Sequence, residues 1–143
     1  KMSNKFREEP IPFLYLDNDN KFQVGEEAAK IVSQVKGKIA VVAIAGLYRT
    51  GKSFILNRLL GRQEGFEIGA TTNSCTKGIY IWGQPVKIQN ENNTELNVIL
   101  IDTEGIGSLE KDQTHDAKIF SLAVLISSFF IYNSMGVIDE TAL

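Results

Sequence analysis

Residues 39–53 read IAVVAIAGLYRTGKS, and the two halves of this stretch make different demands on the backbone. The first half, Ile39 to Ala45, is an unbroken apolar run rich in β-branched residues. Such a run suits a strand buried on both faces, as in a parallel sheet covered by helices. The second half, Gly46 to Ser53, fits the spacing G-x-x-x-x-G-K-[ST]. Gly46 and Gly51 permit backbone angles that other residues resist, so several N–H groups of Leu47, Tyr48, Arg49 and Thr50 can turn inward toward phosphate oxygens. Lys52 to Leu60 has helical character, and the N-terminus of a helix favours an anion. In this reading Lys52 reaches the β- and γ-phosphates of a nucleotide and the Ser53 hydroxyl ligates Mg²⁺. By average residue frequencies the pattern arises by chance in roughly one chain of this length in a few hundred. Here it also has the strand before it and the helix after it that the chemistry needs.

Working outward, residues 13–16 and 21–24 are short extended candidates around the turn Asp17-Asn18-Asp19-Asn20. Gly25 to Val35 places Ala28, Ile31, Val32 and Val35 at helical spacing, with Gly37 as a stop. Downstream, residues 61–77 are irregular and rich in Gly, Thr and Ser. Gly78 to Val86 predicts a strand, Asn90 to Glu95 a polar turn, and Leu96 to Asp102 a second apolar strand. Lys118 to Ile126 predicts a helix with Ile119, Leu122, Ala123 and Ile126 on one stripe. Phe129 to Tyr132 predicts a third buried strand, and Val137 to Leu143 the opening of another helix. Strands alternating with helices predict an α/β fold of the P-loop NTPase kind, a mostly parallel sheet flanked by helices.

The 143 residues suit one domain, and 43% hydrophobic content is enough for a core. A net charge of −2 gives no basic surface for nucleic acid, so no nucleic-acid partner is expected. The single cysteine, Cys75, excludes an internal disulfide and fits a reducing, cytoplasmic setting. The basic start is followed by Glu8, Glu9 and Pro10 in place of an apolar run, so it does not read as a secretion signal. The apolar stretch Ile119 to Tyr132 is shorter than a membrane span and is broken by serines. Asn92-Asn93-Thr94 matches a glycosylation triplet that a cytosolic chain would not use. His115, the one histidine, has no second histidine or cysteine near it in sequence, so it reads as a polar helix-start position in place of a metal site.

Two further segments suit a nucleotide. The Leu96–Asp102 strand runs into Thr103-Glu104-Gly105. Its terminal Asp102 suits the carboxylate that holds Mg²⁺ through water, and D-x-x-G resembles the switch whose glycine N–H contacts a γ-phosphate. Between the two motifs lie Thr71, Thr72, Ser74 and Thr76. Thr76, just before a strand, is the choice for a switch threonine on Mg²⁺.

GLYRTGKS, with arginine at position 49, resembles the phosphate loop of guanylate-binding proteins, large dynamin-related GTPases akin to atlastins. The stretches AVVAIAGLYRTGKSFILNRLLG, GFEIGATTNSCTKGIYIW, LIDTEGIGSLEKDQTHDAKIF and SLAVLISSFFIYNSMG agree in order and spacing, from about Leu14 onward. The resemblance implies an N-terminal tail over residues 1–12 and the N-terminal part of a GTPase domain over residues 13–143. It implies Mg²⁺-dependent hydrolysis of GTP to GDP, and in many relatives onward to GMP. Residues 46–53 and Phe54 would line the phosphates, with Arg49 as an arginine finger supplied in cis. Ser74 would help to place the attacking water, Thr76 would ligate Mg²⁺, and Ile68, Gly69 and Ala70 would cap the phosphates. Asp102, Thr103, Glu104, Gly105 and Ile106 would form the second switch. Homodimerisation through the nucleotide face is the family's way of placing the arginine. Cys75 and Ile106 stand where many relatives carry His and Leu. The guanine-reading Arg-Asp pair, the helical region and any membrane anchor are expected beyond Leu143, so the chain reads as a domain truncated on its C-terminal side and weakly active alone. Two rivals stay open: a nucleotide-dependent assembly module with little turnover, and an ATP-using P-loop enzyme such as a kinase.

Overall fold

The apolar run is a strand, and it sits inside a sheet of seven. A computed structural model describes residues 6–19, 21–46, 52–61, 78–104 and 113–133. In chain order the elements are β1 (Pro10–Leu16), β2 (Phe22–Val24), α1 (Glu26–Gln34), β3 (Lys38–Gly46), α2 (Lys52–Leu59), β4 (Gly78–Trp82), β5 (Val86–Gln89), β6 (Glu95–Glu104), α3 (Gln113–Ile126) and β7 (Phe129–Asn133). The strands lie in the order β2-β1-β4-β6-β3-β7, with β5 also paired to β6. Residues 137–143, where the sequence predicts a helix, lie outside the described residues.

The expectation of a mostly parallel sheet is corrected: the sheet is mixed. β3 pairs in parallel with β6 and β7, while β1–β2, β1–β4, β4–β6 and β5–β6 are antiparallel. The parallel part is the stretch where a helix crosses between strands, since β6 reaches β7 through α3. Short turns make the β1–β2 and β5–β6 pairs antiparallel, while the antiparallel β1–β4 pair joins strands distant in sequence.

The strand expected over Gly78–Val86 is broken in two. Between the pairs Ile81↔Ile101 and Val86↔Val98, the outer strand advances from 81 to 86 while β6 retreats only from 101 to 98. The surplus is taken up at Gly83-Gln84-Pro85, where proline has no N–H to give a ladder. Gly83 instead bonds the N-terminal segment: Arg7 N–H donates to the Gly83 carbonyl at 3.1 Å, and Gly83 N–H to the Glu9 carbonyl at 2.9 Å. β1 therefore starts at Pro10, earlier than the extended candidate at 13–16. Pro10 and Pro12 fall where β2 does not reach, since β2 pairs only with Leu14, Tyr15 and Leu16. α3 likewise begins before Lys118, because its first turn, Gln113 to Asp116, is polar and shows no apolar period.

Alternation along the strands divides the core into two faces. Ala43, Ile79, Ile81, Ile99 and Ile101 meet Ala28 and Ile31 of α1 and Ile119 and Ala123 of α3. Ile44, Tyr80, Trp82, Val98 and Leu100 meet Leu56 of α2 on the other face. Serines mark the join of α3 to β7. The Val41 N–H donates to Ser128 Oγ at 2.9 Å, and the Ser128 N–H to the Val41 carbonyl at 2.7 Å.

The entry to β3 is clamped from β6. Gly37 has φ 92°, a left-handed conformation that suits glycine after a helix. Buried Asn97 donates its side-chain amide to the carbonyls on either side, Lys36 at 2.8 Å and Lys38 at 3.2 Å. Asn97→Ala removes both bonds in a buried setting and is expected to cost about 1–3 kcal/mol in urea unfolding. The β1–β2 turn depends on Asp17, whose carboxylate accepts from the Asp19 and Lys21 backbone at 2.9 Å each and from Gln23 Nε2 at 2.7 Å. These bonds, led by the one from Lys21, hold its carboxyl below the usual carboxylate range. A depressed folded value means that the support is present above the unfolded titration and is lost as pH falls through the folded one. Asp17→Asn is expected to remove this acid dependence of the hairpin, measured by amide exchange across pH.

Candidate functional site

The site is organised by a change of face at β3. α1, before β3, packs on one side of the sheet, and α2, after it, packs on the other. In open α/β sheets such a switch leaves a crevice beyond the carboxyl ends of the parallel strands. Here those ends are Gly46 of β3, Asn133 of β7, which pairs with it, and the end of β6. α2 is anchored by Leu56, which has no exposed surface and packs with Ile44, Tyr80 and Leu100. Lys52 and Ser53 open this helix, so the pattern read from the sequence falls between a strand end and a helix start.

β6 brings the carboxylate. Asp102 is 0% exposed and stands in register with Ile44 of β3 and Tyr80 of β4. Both partners belong to the cluster under α2, so Asp102 occupies the sheet face that α2 covers. A carboxylate this deeply buried is sustained only by donors or positive charge. Its place on the face that α2 covers and its hard oxygen chemistry fit a Mg²⁺. Among the described residues, no group of three or more His, Cys, Asp and Glu side chains gathers as a metal cage.

The other candidate residues divide by where the description reaches. Glu104 ends β6, paired through its backbone with Gly78. Thr103 is buried, and its hydroxyl donates to the Ile44 carbonyl at 3.5 Å. Phe54 lies on the exposed side of α2, 63% accessible, with the Arg58 guanidinium 5.3 Å above its ring. Leu47, Tyr48, Arg49, Thr50, Gly51, Ile68, Gly69, Ala70, Ser74, Thr76, Gly105 and Ile106 lie outside the described residues. Among these residues the register places Asp102 beside Ile44, two residues before Gly46, and Thr103 bonds the carbonyl of the same Ile44.

Sequence reading missed the neighbours of the carboxylate, Tyr80 and the link from Thr103 to β3. The signal for Tyr80 was present in the alternation of Gly78-Ile79-Tyr80-Ile81-Trp82, but only the register shows which side faces Asp102. A cavity of about 570 Å³ opens elsewhere, where Lys36, Leu60, Trp82, Pro85 and Asn97 come together. It lies at the entry of β3, where Lys36 and Asn97 sit, at the opposite end of the strand from Gly46. Among the described residues no helix is long and apolar enough to cross a membrane.

Comparison with known proteins bears on this arrangement. The family model "Guanylate-binding protein, N-terminal domain" matches residues 19–143. Human guanylate-binding protein 2 is 46% identical over 136 residues, covering 94% of this chain and 22% of that protein. Guanylate-binding protein 1 of Chlorocebus aethiops is 45% identical over 134 residues, covering 92% of this chain and 22% of that protein. Mouse guanylate-binding protein 5 is 46% identical over 119 residues, 82% of this chain and 20% of that protein. The chain thus spans about a fifth of the length of these curated relatives.

Because Leu56 fixes α2 to the sheet, Leu56→Ala is expected to destabilise the chain by about 2–5 kcal/mol. Urea unfolding reads this directly. A loss well under 1 kcal/mol would mean that α2 is not held through this contact.

Proposed function

The chain belongs to the guanylate-binding protein family, matching its N-terminal domain, and on that premise we propose that it is the phosphate-binding part of a domain with the P-loop NTPase fold that binds and hydrolyses GTP. The observation that carries the reading is the buried carboxylate of Asp102, held in register beside Ile44 on the face covered by α2. A strand end, a Gly-rich loop, a helix start bearing Lys52-Ser53 and a neighbouring buried carboxylate together suit a nucleotide triphosphate with its metal.

The amides of residues 46–53 cradle the phosphates, and Lys52 neutralises the β- and γ-phosphate oxygens. Water attacks the γ-phosphorus in line, the bond to the β–γ bridging oxygen breaks, and GDP leaves with phosphate. Arg49, supplied in cis, meets the charge that develops between the β- and γ-phosphates. Ser74 helps to place the water, Glu104 and Gly105 sense the γ-phosphate, and Ile68, Gly69 and Ala70 cap it. Ser53, Thr76 and Asp102 are the groups that would hold Mg²⁺, which when bound neutralises charge on the β- and γ-oxygens. Further cleavage to GMP, homodimerisation through the nucleotide face and a cytoplasmic setting complete the reading. The family membership and the reducing character expected of a chain with a single cysteine support them.

Titration of a fluorescent GTP analogue against the full-length protein, which would carry the guanine-reading pair, tests the reading. Binding is expected to be competed by GTP and weakened at least roughly a hundredfold by Lys52→Ala, which removes a charge-assisted contact and the point charge on the phosphates. Competition by ATP equal to that by GTP would overturn the guanine assignment. Arg49→Ala is expected to lower turnover on the order of 10³-fold, the usual weight of an arginine finger, with binding retained. Unchanged turnover would point to an assembly module in place of an enzyme.

A further inference from the structure

The break between β4 and β5 leaves a hollow at the entry of β3. Gly83-Gln84-Pro85 departs from the β6 ladder, and the N-terminal segment bonds Gly83 so closely that a Cβ there would run into the Arg7 carbonyl. That segment brings Phe6 to the hollow, the end of α1 brings Val35 and Lys36, and Leu60 follows directly on α2. Together they leave about 570 Å³ open, a volume within the range of small-molecule sites. Its lining has two kinds of chemistry. Trp82, only 3% exposed, forms an apolar wall with Leu60, Pro85 and Val86. Lys36 and Lys87, both exposed, add positive charge against one carboxylate, Glu8. Lys87 also meets Glu95 at 3.5 Å, an exposed pair of small worth. A lysine can lay its stem on an apolar wall while its ammonium stays at the water boundary.

We propose that this cavity binds a small monocarboxylic acid with an apolar body, the body against Trp82 and Leu60 and the carboxylate at Lys36. Size and charge both favour such a ligand. An apolar wall of this extent gains by excluding water, and a lysine at its border fixes which end of the ligand carries charge. The frame is already bonded. Asn97 donates to the Lys36 and Lys38 carbonyls, Gly83 exchanges bonds with the N-terminal segment, and the Leu60 N–H donates to the Leu56 carbonyl at 3.0 Å. A ligand therefore meets a preformed site and need not order it. The inference stands apart from the nucleotide reading, since the cavity lies at the other end of β3 from Gly46.

The test uses ω-bromodecanoate on the full-length protein, because bromine quenches tryptophan emission on contact. Quenching is expected to saturate, and Trp82→Phe is expected to remove the saturable part. Lys36→Gln is expected to weaken the acid about fivefold, the worth of one exposed charge pair, and to leave the uncharged ω-bromodecanol within about twofold. Should Trp82→Phe disturb folding by circular dichroism, calorimetric titration of the unaltered protein and of Lys36→Gln with decanoate reads the same affinities. Quenching that never saturates, saturable quenching that survives in folded Trp82→Phe, or an equal effect of Lys36→Gln on acid and alcohol overturns the proposal. So does the absence of both quenching and heat up to about 1 mM acid.

Discussion

The parallel register of β3 against β6 is the constraint from which the rest of the arrangement follows. A slip of one residue would carry each strand's side chains to the opposite layer, and with them the buried polar Asn97, Asp102 and Thr103 of β6. Register therefore decides more than stability. It puts Asp102 opposite Ile44, and with it decides which side of the sheet receives the carboxylate. Had β6 paired one residue out of step, that acid would face α1 and α3, among Ile119 and Ala123, with no helix start beside it. The side of the sheet on which Asp102 lies is thus an outcome of how two hydrophobic ladders align.

The two ends of β3 are secured by different means. At its entry, a buried amide from β6 spans the turn at Gly37. In its middle, Ser128 exchanges two bonds with Val41 and so ties in the start of β7. Toward its exit, support comes from Leu56 beneath Ile44 and from the hydroxyl of Thr103. These polar bonds sit where a strand meets a turn or where a ladder stops. Apolar contact carries the remainder, as is usual for a sheet covered on both faces.

Much of the fold was legible because apolar runs and helical spacing are local signals. β3, β6, β7 and the helix stripes Ala28–Ile31 and Ile119–Ala123 were visible on that basis. The sheet's mixed character was not, because whether two strands run parallel depends on connections and pairing that no single segment encodes. The break between β4 and β5 was hidden for a similar reason. Gly83 and Pro85 look like interruptions only once the N-terminal segment is seen bonding Gly83. In the site, the motif residues Gly46, Lys52, Ser53 and Asp102 could be named from spacing. The face on which Asp102 lies and the reach of Thr103 to Ile44 could not, since both are facts of register between strands distant in sequence.

The N-terminal hairpin governs where the segment holding Ser74 and Thr76 rejoins the sheet. Gly78 opens β4 so close to β1 that a Cβ there would run into the Leu14 carbonyl. Hydrogen is the only side chain that this point admits. A slip of one residue would bring Lys77 or Ile79 against that carbonyl, so the rejoining point works like a stop on a rail. The frame in which Thr76 precedes the sheet is thus set by β1.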